Sequence, residues 1–261
     1  MNRVKMIRAG LMLLAAVVLV LSFTGMTDPA EFRRPPLREN PYSPADFALE
    51  NGYLTCTAGE SVLGIDVSEF QLDIDWEQVK NAGVEFVFIR VGWRGTGEGT
   101  LNPDKRAQEY YRGAKAAGLK VGAYFFSQSV NIGEAVEEAN YAMSLMADWE
   151  LDLPLVYDWE YVSDTARTAN VDPRTLTDCY LAFCGKLEEE GYTPMAYFNS
   201  YQSRKMMYLT ELEQYPFWLA LYSDRMTYPY RIEMWQYTDS GKVPGIEGNV
   251  DINLMFTDEY F

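Results

Sequence analysis

The segment LVYDWEY, residues 155–161, places two carboxylates, Asp158 and Glu160, inside an otherwise apolar run. Such a run predicts a buried strand, and successive side chains of a strand point to opposite faces. The two acids therefore share one face, and Tyr157 and Trp159 share the other. Large aromatic residues suit the layer beneath covering helices, which leaves the acids on the inner face. Their backbone positions lie about 6.6 Å apart, at roughly 3.3 Å per residue.

Further strand-like runs accompany this segment, and they are LGIDVS (63–68), EFVFIRV (85–91), KVGAYFF (120–126), PMAYFN (194–199), FWLALY (217–222), IEMWQY (232–237) and NVDINLM (249–255). Helix-like stretches separate the first five runs, at residues 75–83, 104–118, 132–150 and 172–191. This alternation predicts parallel strands with covering helices, and eight strands are the number that closes a barrel. Because helices fade after residue 210, we predict an irregular TIM-like α/β barrel, with β/α units first and mostly strands afterwards.

Acidic residues recur near the ends of the predicted strands. Asp66 lies late in the first strand, and Asp158 and Glu160 end the fourth. Asp251 lies within the eighth strand. Parallel barrels carry their chemistry at the C-terminal ends of the strands, so these acids predict a shared site. A pair of carboxylates suits glycoside hydrolysis, although strand spacing alone does not choose between retaining and inverting geometry. The alternative is a buried ion-paired network that only stabilises the barrel.

The composition excludes several classes of chemistry. The chain of 261 residues contains no histidine, which removes Ser-His-Asp and Cys-His nucleophile pairs and nearly all histidine-based zinc sites. Carboxylates must therefore carry any acid–base chemistry, and we expect neither a metal nor another cofactor. A formal net charge of −16 argues against nucleic acid as a partner. The three cysteines lack C-x-x-C spacing, and we interpret them as structural.

The N-terminal segment is typical of a targeting sequence. Three basic residues precede the apolar stretch AGLMLLAAVVLVLSFTGM, residues 9–26, in the order of a signal peptide. No clear A-x-A cleavage site follows, so residues 1–26 are either a signal peptide or an uncleaved signal anchor. Residues 27–60 are rich in proline and polar residues, which predicts a tether before a single barrel domain at 61–261. We therefore expect an exported protein of the cell envelope, membrane-anchored or secreted.

A series of motifs covers nearly all of residues 61–261, namely GIDVSEFQ (64–71), FVFIRVG (86–92), AGLKVGAYFF (117–126), YDWE (157–160), WLALY (218–222) and MWQYTDSGKVPGIEGNVDINLM (234–255). In this order and spacing, they resemble the glycoside hydrolase family 25 lysozymes, the N-acetylmuramidases that cut peptidoglycan. The resemblance implies a (β/α)5β3 barrel that cleaves the β-1,4 bond between N-acetylmuramic acid and N-acetylglucosamine. Peptidoglycan glycan strands are then the expected partner of a chain that we expect to be monomeric.

The resemblance also implies roles for the acids. Glu160 would be the general acid/base, and Asp158 would hold the 2-acetamido group of the substrate as it attacks the anomeric carbon. Asp66 and Asp251 would shape the same cleft and raise the pKa of Glu160. Five further residues near strand ends are candidates for stacking on or hydrogen bonding to a sugar, and they are Tyr124, Asn199, Tyr222, Trp235 and Gln236.

One position departs from the family pattern. Family members commonly carry a histidine after the tyrosine of the third strand, where this chain has Phe125. If that histidine positions substrate or tunes the acid, we expect an altered pH optimum or glycan preference. Two other functions remain alternatives: a glycan-binding barrel without turnover, and a hydrolase of another N-acetylated glycan. The retained D-x-E at 158–160 speaks against the first.

Overall fold

The computed structural model describes residues 36–256, and strands form its centre. Numbered along the chain, the strands are β1 (Phe47–Glu50), β2 (Tyr53–Cys56), β3 (Ser61–Val67), β4 (Phe86–Arg94), β5 (Leu101–Pro103), β6 (Lys120–Ser127), β7 (Leu155–Trp159), β8 (Pro194–Asn199), β9 (Phe217–Ala220), β10 (Met234–Gly241) and β11 (Val250–Phe256). The α-helices of the described residues are α1 (Trp76–Asn81), α2 (Ala107–Ala116), α3 (Ile132–Leu145), α4 (Pro173–Glu189) and α5 (Ser200–Lys205).

Eight of these strands close into a barrel in the order β3, β4, β6, β7, β8, β9, β10, β11, with β11 pairing back to β3. Neighbours from β3 to β10 are parallel, and β11 is antiparallel to both of its neighbours. One helix follows each of β3, β4, β6, β7 and β8, and no α-helix lies between β9 and β11 in this described part of the chain. The predicted (β/α)5β3 barrel is confirmed.

Local sequence signals set the bounds of α4, the longest helix of the described residues. The side chain of Asp172 accepts the backbone N–H groups of Arg174 and Thr175, and Pro173 occupies the first turn. Gly191 follows the helix at a φ of +84°, a conformation that costs glycine no steric strain. The helix packs on β7 and β8 and so supports the strand that carries Asp158.

The barrel separates two apolar regions. Val156 packs with inward-facing residues such as Phe88 and Trp218 inside the barrel, whereas Tyr157 and Trp159 pack in the layer between strands and helices. This alternation directs Asp158 into the barrel, as the sequence predicts. Gly122 leaves space for the interior rings, because a Cβ atom there would lie 2.4 Å from the ring of Phe88.

Of the predicted tether at 27–60, the structure describes residues 36–60, and these include two paired strands that a tether would lack. The compact barrel unit begins at Leu37, and β1 and β2 form an antiparallel hairpin. Phe47 packs edge to face on Trp235 with ring centroids 5.2 Å apart, and Tyr42 stacks on Phe256 at 4.6 Å. The hairpin therefore covers the outer face of β10 and β11, which lacks the helices that cover the earlier strands. Burial of its aromatic residues on that face outweighs the polar, proline-rich local sequence.

The predicted signal peptide or anchor at 1–26 lies outside the described residues, together with the remainder of the chain up to residue 35. From residue 36 to residue 256, none of the helices is long and apolar enough to cross a membrane.

Candidate active site

A cavity of about 210 Å³ opens at the C-terminal ends of the parallel strands. Its lining combines four carboxylates with aromatic and amide side chains, and comprises Asp66, Ser68, Phe70, Arg90, Tyr124, Phe126, Asp158, Glu160, Tyr197, Trp218, Tyr222, Gln236 and Asp251. Acids from β3, β7 and β11 therefore meet in one place, although they are far apart in the sequence.

Asp158 and Glu160 form the first pair of acids. Asp158 is the penultimate residue of β7, and Glu160 follows the last residue of that strand. Their carboxyl groups lie close enough for each to alter the pKa of the other. Asp158 is only 5% exposed, and its Oδ1 atom is buried without a hydrogen-bond partner. A buried acceptor without a donor is costly in a folded protein, so Oδ1 is suited to receive a donor from a ligand.

Asp66 and Asp251 form the second pair. They lie directly opposite each other in the register of β3 and β11, and each alters the pKa of the other. Two amides hold Asp66 as well, because Gln236 Nε2 and Asn253 Nδ2 each donate to its Oδ2 atom at 2.8 Å. Asn253 is fixed in turn by the indole N–H of Trp218, which donates to its Oδ1 atom at 2.9 Å.

Burial raises the pKa values of both acids of the second pair, but the net rise is larger for Asp251. Burial raises the pKa of Asp251 to about 9, and the charge of Asp66 adds to this effect. Burial also raises the pKa of Asp66, but the hydrogen bonds from Asn253, Gln236 and Asp251 oppose the shift. A proton shared by this pair therefore resides mainly on Asp251, which is neutral near pH 7.

The first pair also holds protons tightly. Burial raises the pKa of Asp158 well above its ordinary value, and the charges of Glu160 and Asp66 add to the effect. Burial raises the pKa of Glu160 as well, followed by the charge of Asp66, whereas the hydrogen bond with Asp158 opposes the rise. Without substrate, a proton shared by this pair therefore resides mainly on Asp158.

Arg90 is the one cation among the described residues that line the cavity. Its Nε atom donates to Asp104 at 2.9 Å, and its guanidinium lies 5.0 Å from the ring centroid of Phe70 and 4.8 Å from that of Trp93. The positive charge lowers the pKa of Asp158 and so opposes part of the effect of burial. Arg90 thus offsets part of the negative charge of the acids without contacting Asp158 in a salt bridge.

The sequence that forms this barrel matches a known family. The model of the glycosyl hydrolases family 25 matches residues 65–246, which is more than half of the chain. The chain belongs to family 25. The resemblance predicted from the sequence motifs is confirmed.

Proteins similar to this chain include two lysozymes and an autolysin. Lysozyme M1 of Streptomyces globisporus is 30% identical over 205 residues, which cover 74% of this chain and 67% of that protein. The autolytic lysozyme of Clostridium acetobutylicum is 30% identical over 192 residues, which cover 73% of this chain and 54% of that protein. The structure of the modular autolysin LytC from Streptococcus pneumoniae has the same fold, with a TM-score of 0.68 at 24% identity over 80% of this chain and 51% of that chain. The chain therefore spans about half to two thirds of these relatives.

Three of the predicted sugar-contacting residues of this family 25 chain line the cavity with the four acids. Gln236 lies at their centre, since its Oε1 atom accepts hydrogen bonds from Tyr197 at 2.9 Å and from Tyr222 at 3.2 Å. Tyr124 lies on the inner face of β6. Their contacts with a sugar remain predictions.

Two predicted site residues lie elsewhere. The Oδ1 atom of Asn199 accepts the N–H groups of Tyr201 and Gln202 at 3.0 and 2.9 Å, so Asn199 caps α5 rather than facing the cavity. Trp235 precedes Gln236 on β10 and therefore points to the opposite face, where it packs against the hairpin. The structure therefore places neither residue among the side chains that line the cavity.

Phe125 is also directed away from the site. Its side chain is fully buried in the helix layer and packs edge to face on Tyr141, whereas the next residue, Phe126, lines the cavity. The departure at Phe125 therefore does not place a changed side chain at the acids, and the expected effect on pH optimum or glycan preference loses its structural basis.

Several residues at or beneath the cavity were missed by sequence reasoning. Tyr197 and Trp218 line it, and Asn253 supports Asp66. Strand alternation gave a usable signal, because Asn253 lies two positions from Asp251 and Tyr197 lies two positions from Met195 of the barrel interior.

Proposed function

We propose that this protein is a peptidoglycan hydrolase, an N-acetylmuramidase that cleaves the β-1,4 bond between N-acetylmuramic acid and N-acetylglucosamine. The observation that carries the proposal is the pair Asp158 and Glu160, which line one acid-rich cavity of a family 25 barrel and influence each other's pKa. The relatives named lysozyme and autolytic lysozyme support the same class of substrate.

Glu160 is proposed as the general acid. It lies just beyond the strand, its side chain is one methylene longer than that of Asp158, and it lines the cavity where a glycosidic oxygen would lie. Burial and the charge of Asp66 raise its pKa, which favours the protonated form that a general acid requires. Protonation of the glycosidic oxygen allows the bond to the anomeric carbon to break and the leaving sugar to depart as an alcohol.

Asp158 is proposed to hold the acetamido group of the sugar on the other side of the bond. Its unpartnered Oδ1 atom accepts the acetamido N–H, while the acetamido carbonyl oxygen attacks the anomeric carbon to form an oxazolinium intermediate. Water then opens this intermediate, with the ionised Glu160 as general base, so the configuration is retained. The proximity of the two acids, two residues apart at the end of β7 and on the same cavity, supports this route, since an inverting pair is separated by roughly 6.5–9.5 Å.

Substrate binding would also move the shared proton. In the free protein, Asp158 holds protons more tightly than Glu160. A donor from the acetamido group favours the ionised form of Asp158, because a hydrogen bond to a charged acceptor stabilises the charge. The proton then lies on Glu160, beside the glycosidic oxygen. Substrate binding thus produces the reactive state, with Glu160 protonated and Asp158 ionised.

Mass spectrometry of borohydride-reduced peptidoglycan fragments tests the proposed function. We expect the full-length protein to release fragments with N-acetylmuramitol at the reduced end. Fragments that end in N-acetylglucosaminitol would contradict the bond assignment. Binding to the wall without release of fragments would instead favour a barrel without turnover, and release from another N-acetylated glycan alone would favour a different hydrolase.

The dependence of kcat/KM on pH tests the protonation states of the acids. Activity is lost on the alkaline side as Glu160 loses its proton, and the charge of Asp66 raises the pKa of Glu160. We therefore expect Asp66→Asn to move the alkaline limb to lower pH. Asp251→Asn should leave the limb in place, since Asp251 is already neutral near pH 7 and an amide can still donate to Asp66. Equal displacement in both variants would contradict this assignment.

The proposed substrate also requires export. We infer that the protein acts in the cell envelope and that residues 9–26 are either removed or serve as a membrane anchor. Added protease should degrade the barrel in intact spheroplasts. Protection of the whole chain until the spheroplasts are lysed would contradict export.

A further inference from the structure

Two buried glutamines outside the cavity form hydrogen bonds to the backbone on either side of the Cα atom of Glu160. The first, Gln202, lies in α5 and bridges the ends of β7 and β8. Its Nε2 atom donates to the carbonyl oxygen of Trp159 at 2.6 Å, and its Oε1 atom accepts the N–H of Asn199 at 2.8 Å. Both ends of this amide are therefore satisfied, and its orientation is fixed by the two partners.

The second glutamine, Gln128, directly follows β6 on the other side of β7. Its Nε2 atom donates to the carbonyl oxygen of Glu160 at 2.7 Å and to that of Ser127 at 2.9 Å. The hydroxyl of Thr168 donates to its Oε1 atom at 3.1 Å. Like Gln202, Gln128 is fully buried, so a lost hydrogen bond at either residue would leave a carbonyl oxygen without a donor in a dry environment.

The two glutamines hold successive peptide groups. The carbonyl of Trp159 belongs to the peptide group before the Cα atom of Glu160, and the carbonyl of Glu160 belongs to the one after it. Fixing both groups restricts φ and ψ of Glu160, and these angles set the direction of its Cα–Cβ bond. This restraint matters because β7 ends at Trp159, so Glu160 lies beyond the strand itself.

The segment after Glu160 also returns to Gln128. Arg167 donates to the backbone carbonyl of Gln128 at 2.7 Å, in addition to the contact from Thr168. The indole N–H of Trp159 donates to the carbonyl of Ser129 at 3.0 Å. The residues before and after Glu160 are therefore both attached to the segment that follows β6.

We propose that Gln128 and Gln202 are positioning residues for Glu160, because they fix its two flanking peptide groups and so hold its carboxyl group beside Asp158 in the cavity. Neither glutamine lines the cavity, so their effect passes through the backbone rather than through contact with a substrate. The catalytic consequence rests on the proposed function.

Methionine variants test the proposal, because methionine has nearly the same shape as glutamine but cannot donate these hydrogen bonds. For Gln202→Met and Gln128→Met in the full-length protein, we expect kcat to fall by about 10- to 100-fold, as for a small misplacement of a reacting group. KM should change by no more than about twofold, because the cavity contacts that bind the substrate in its ground state are retained. Gln108→Met is the control: Gln108 accepts the indole N–H of Trp149 at 2.7 Å in the helix layer. This variant should keep the wild-type kcat.

Gln202→Glu provides a rescue that a merely structural role does not predict. A protonated carboxyl group can accept the N–H of Asn199 and donate to the carbonyl of Trp159, whereas the ionised form repels that carbonyl. The activity of Gln202→Glu, relative to wild type at the same pH, should therefore exceed that of Gln202→Met at acidic pH. This ratio should decline as the pH rises. A ratio that is independent of pH would contradict the proposed hydrogen bond.

A carboxyl ¹³C NMR titration separates the two proposals. The titration of Glu160 should differ from wild type in Gln128→Met and Gln202→Met but not in Gln108→Met, whether or not the protein cleaves peptidoglycan. If the wild-type protein does not cleave peptidoglycan, the proposed function is overturned. The NMR titration of Glu160 then still tests the positioning role. If one methionine variant does not fold, the other methionine variant and Gln202→Glu still test the positioning role. Wild-type kcat and titration in the folded variants would overturn the positioning role.

Discussion

Replacing Glu160 by glutamine should lower kcat on peptidoglycan by about 10²- to 10⁴-fold, the usual contribution of general acid–base catalysis. The amide has nearly the same size but cannot deliver a proton to the glycosidic oxygen. The measurement is the initial rate of release of reducing ends by purified full-length protein. KM should change little, because the amide keeps most of the contacts of the side chain in the cavity.

The exposed Glu77 in α1 provides a control of the same residue type, and Glu77→Gln should keep the wild-type rate. Thermal unfolding of both variants should resemble that of wild type. A Glu160→Gln protein that cleaves peptidoglycan at a rate near wild type would show that Glu160 is not the general acid.

Replacing Asp158 by asparagine should lower kcat by about 10²- to 10³-fold, comparable with the loss of one preorganised electrostatic contact. The variant keeps a side-chain oxygen but loses the charge that stabilises the acetamido group as positive charge develops on it. The measurement is again the rate of release of reducing ends, combined with thermal unfolding of the same protein.

The thermal measurement separates catalysis from a purely structural role. Burial makes the charged form of Asp158 costly, so the neutral amide should leave the melting temperature unchanged or higher. If Asp158 served only a stabilising ion-paired network, the substitution should lower the melting temperature and leave kcat near wild type. Asp148→Asn, at an exposed position after α3, is the control for a change of one charge.

Much of the fold could be predicted because its signals are local. Runs of apolar residues, the capping residue Asp172 and glycines after helices set the bounds of strands and helices within a few residues of sequence. The face of β7 that carries Asp158 followed from period-2 alternation alone. The same rule would have excluded Trp235 once Gln236 was placed in the cavity, since neighbouring residues of a strand point to opposite faces.

Other predictions failed because distant contacts override local sequence. Residues 37–60 carry proline and polar residues typical of a tether, yet β10 and β11 offer an outer face without helices, and Phe47 and Tyr42 bury against it. Asn199 lies at a strand end, the position predicted for a sugar-binding residue, but its side chain caps the helix that begins there.

The sequence by itself determined the number and order of the eight barrel strands, the shared face of Asp158 and Glu160, and the absence of any imidazole. Only the tertiary structure decided which groups surround these acids. Asp66 meets Asp251 because the last strand closes the barrel against the first, and Gln128 and Gln202 reach Glu160 from different segments. Burial and long-range contacts set the pKa values and the position of Glu160, and neither exists until the barrel has closed.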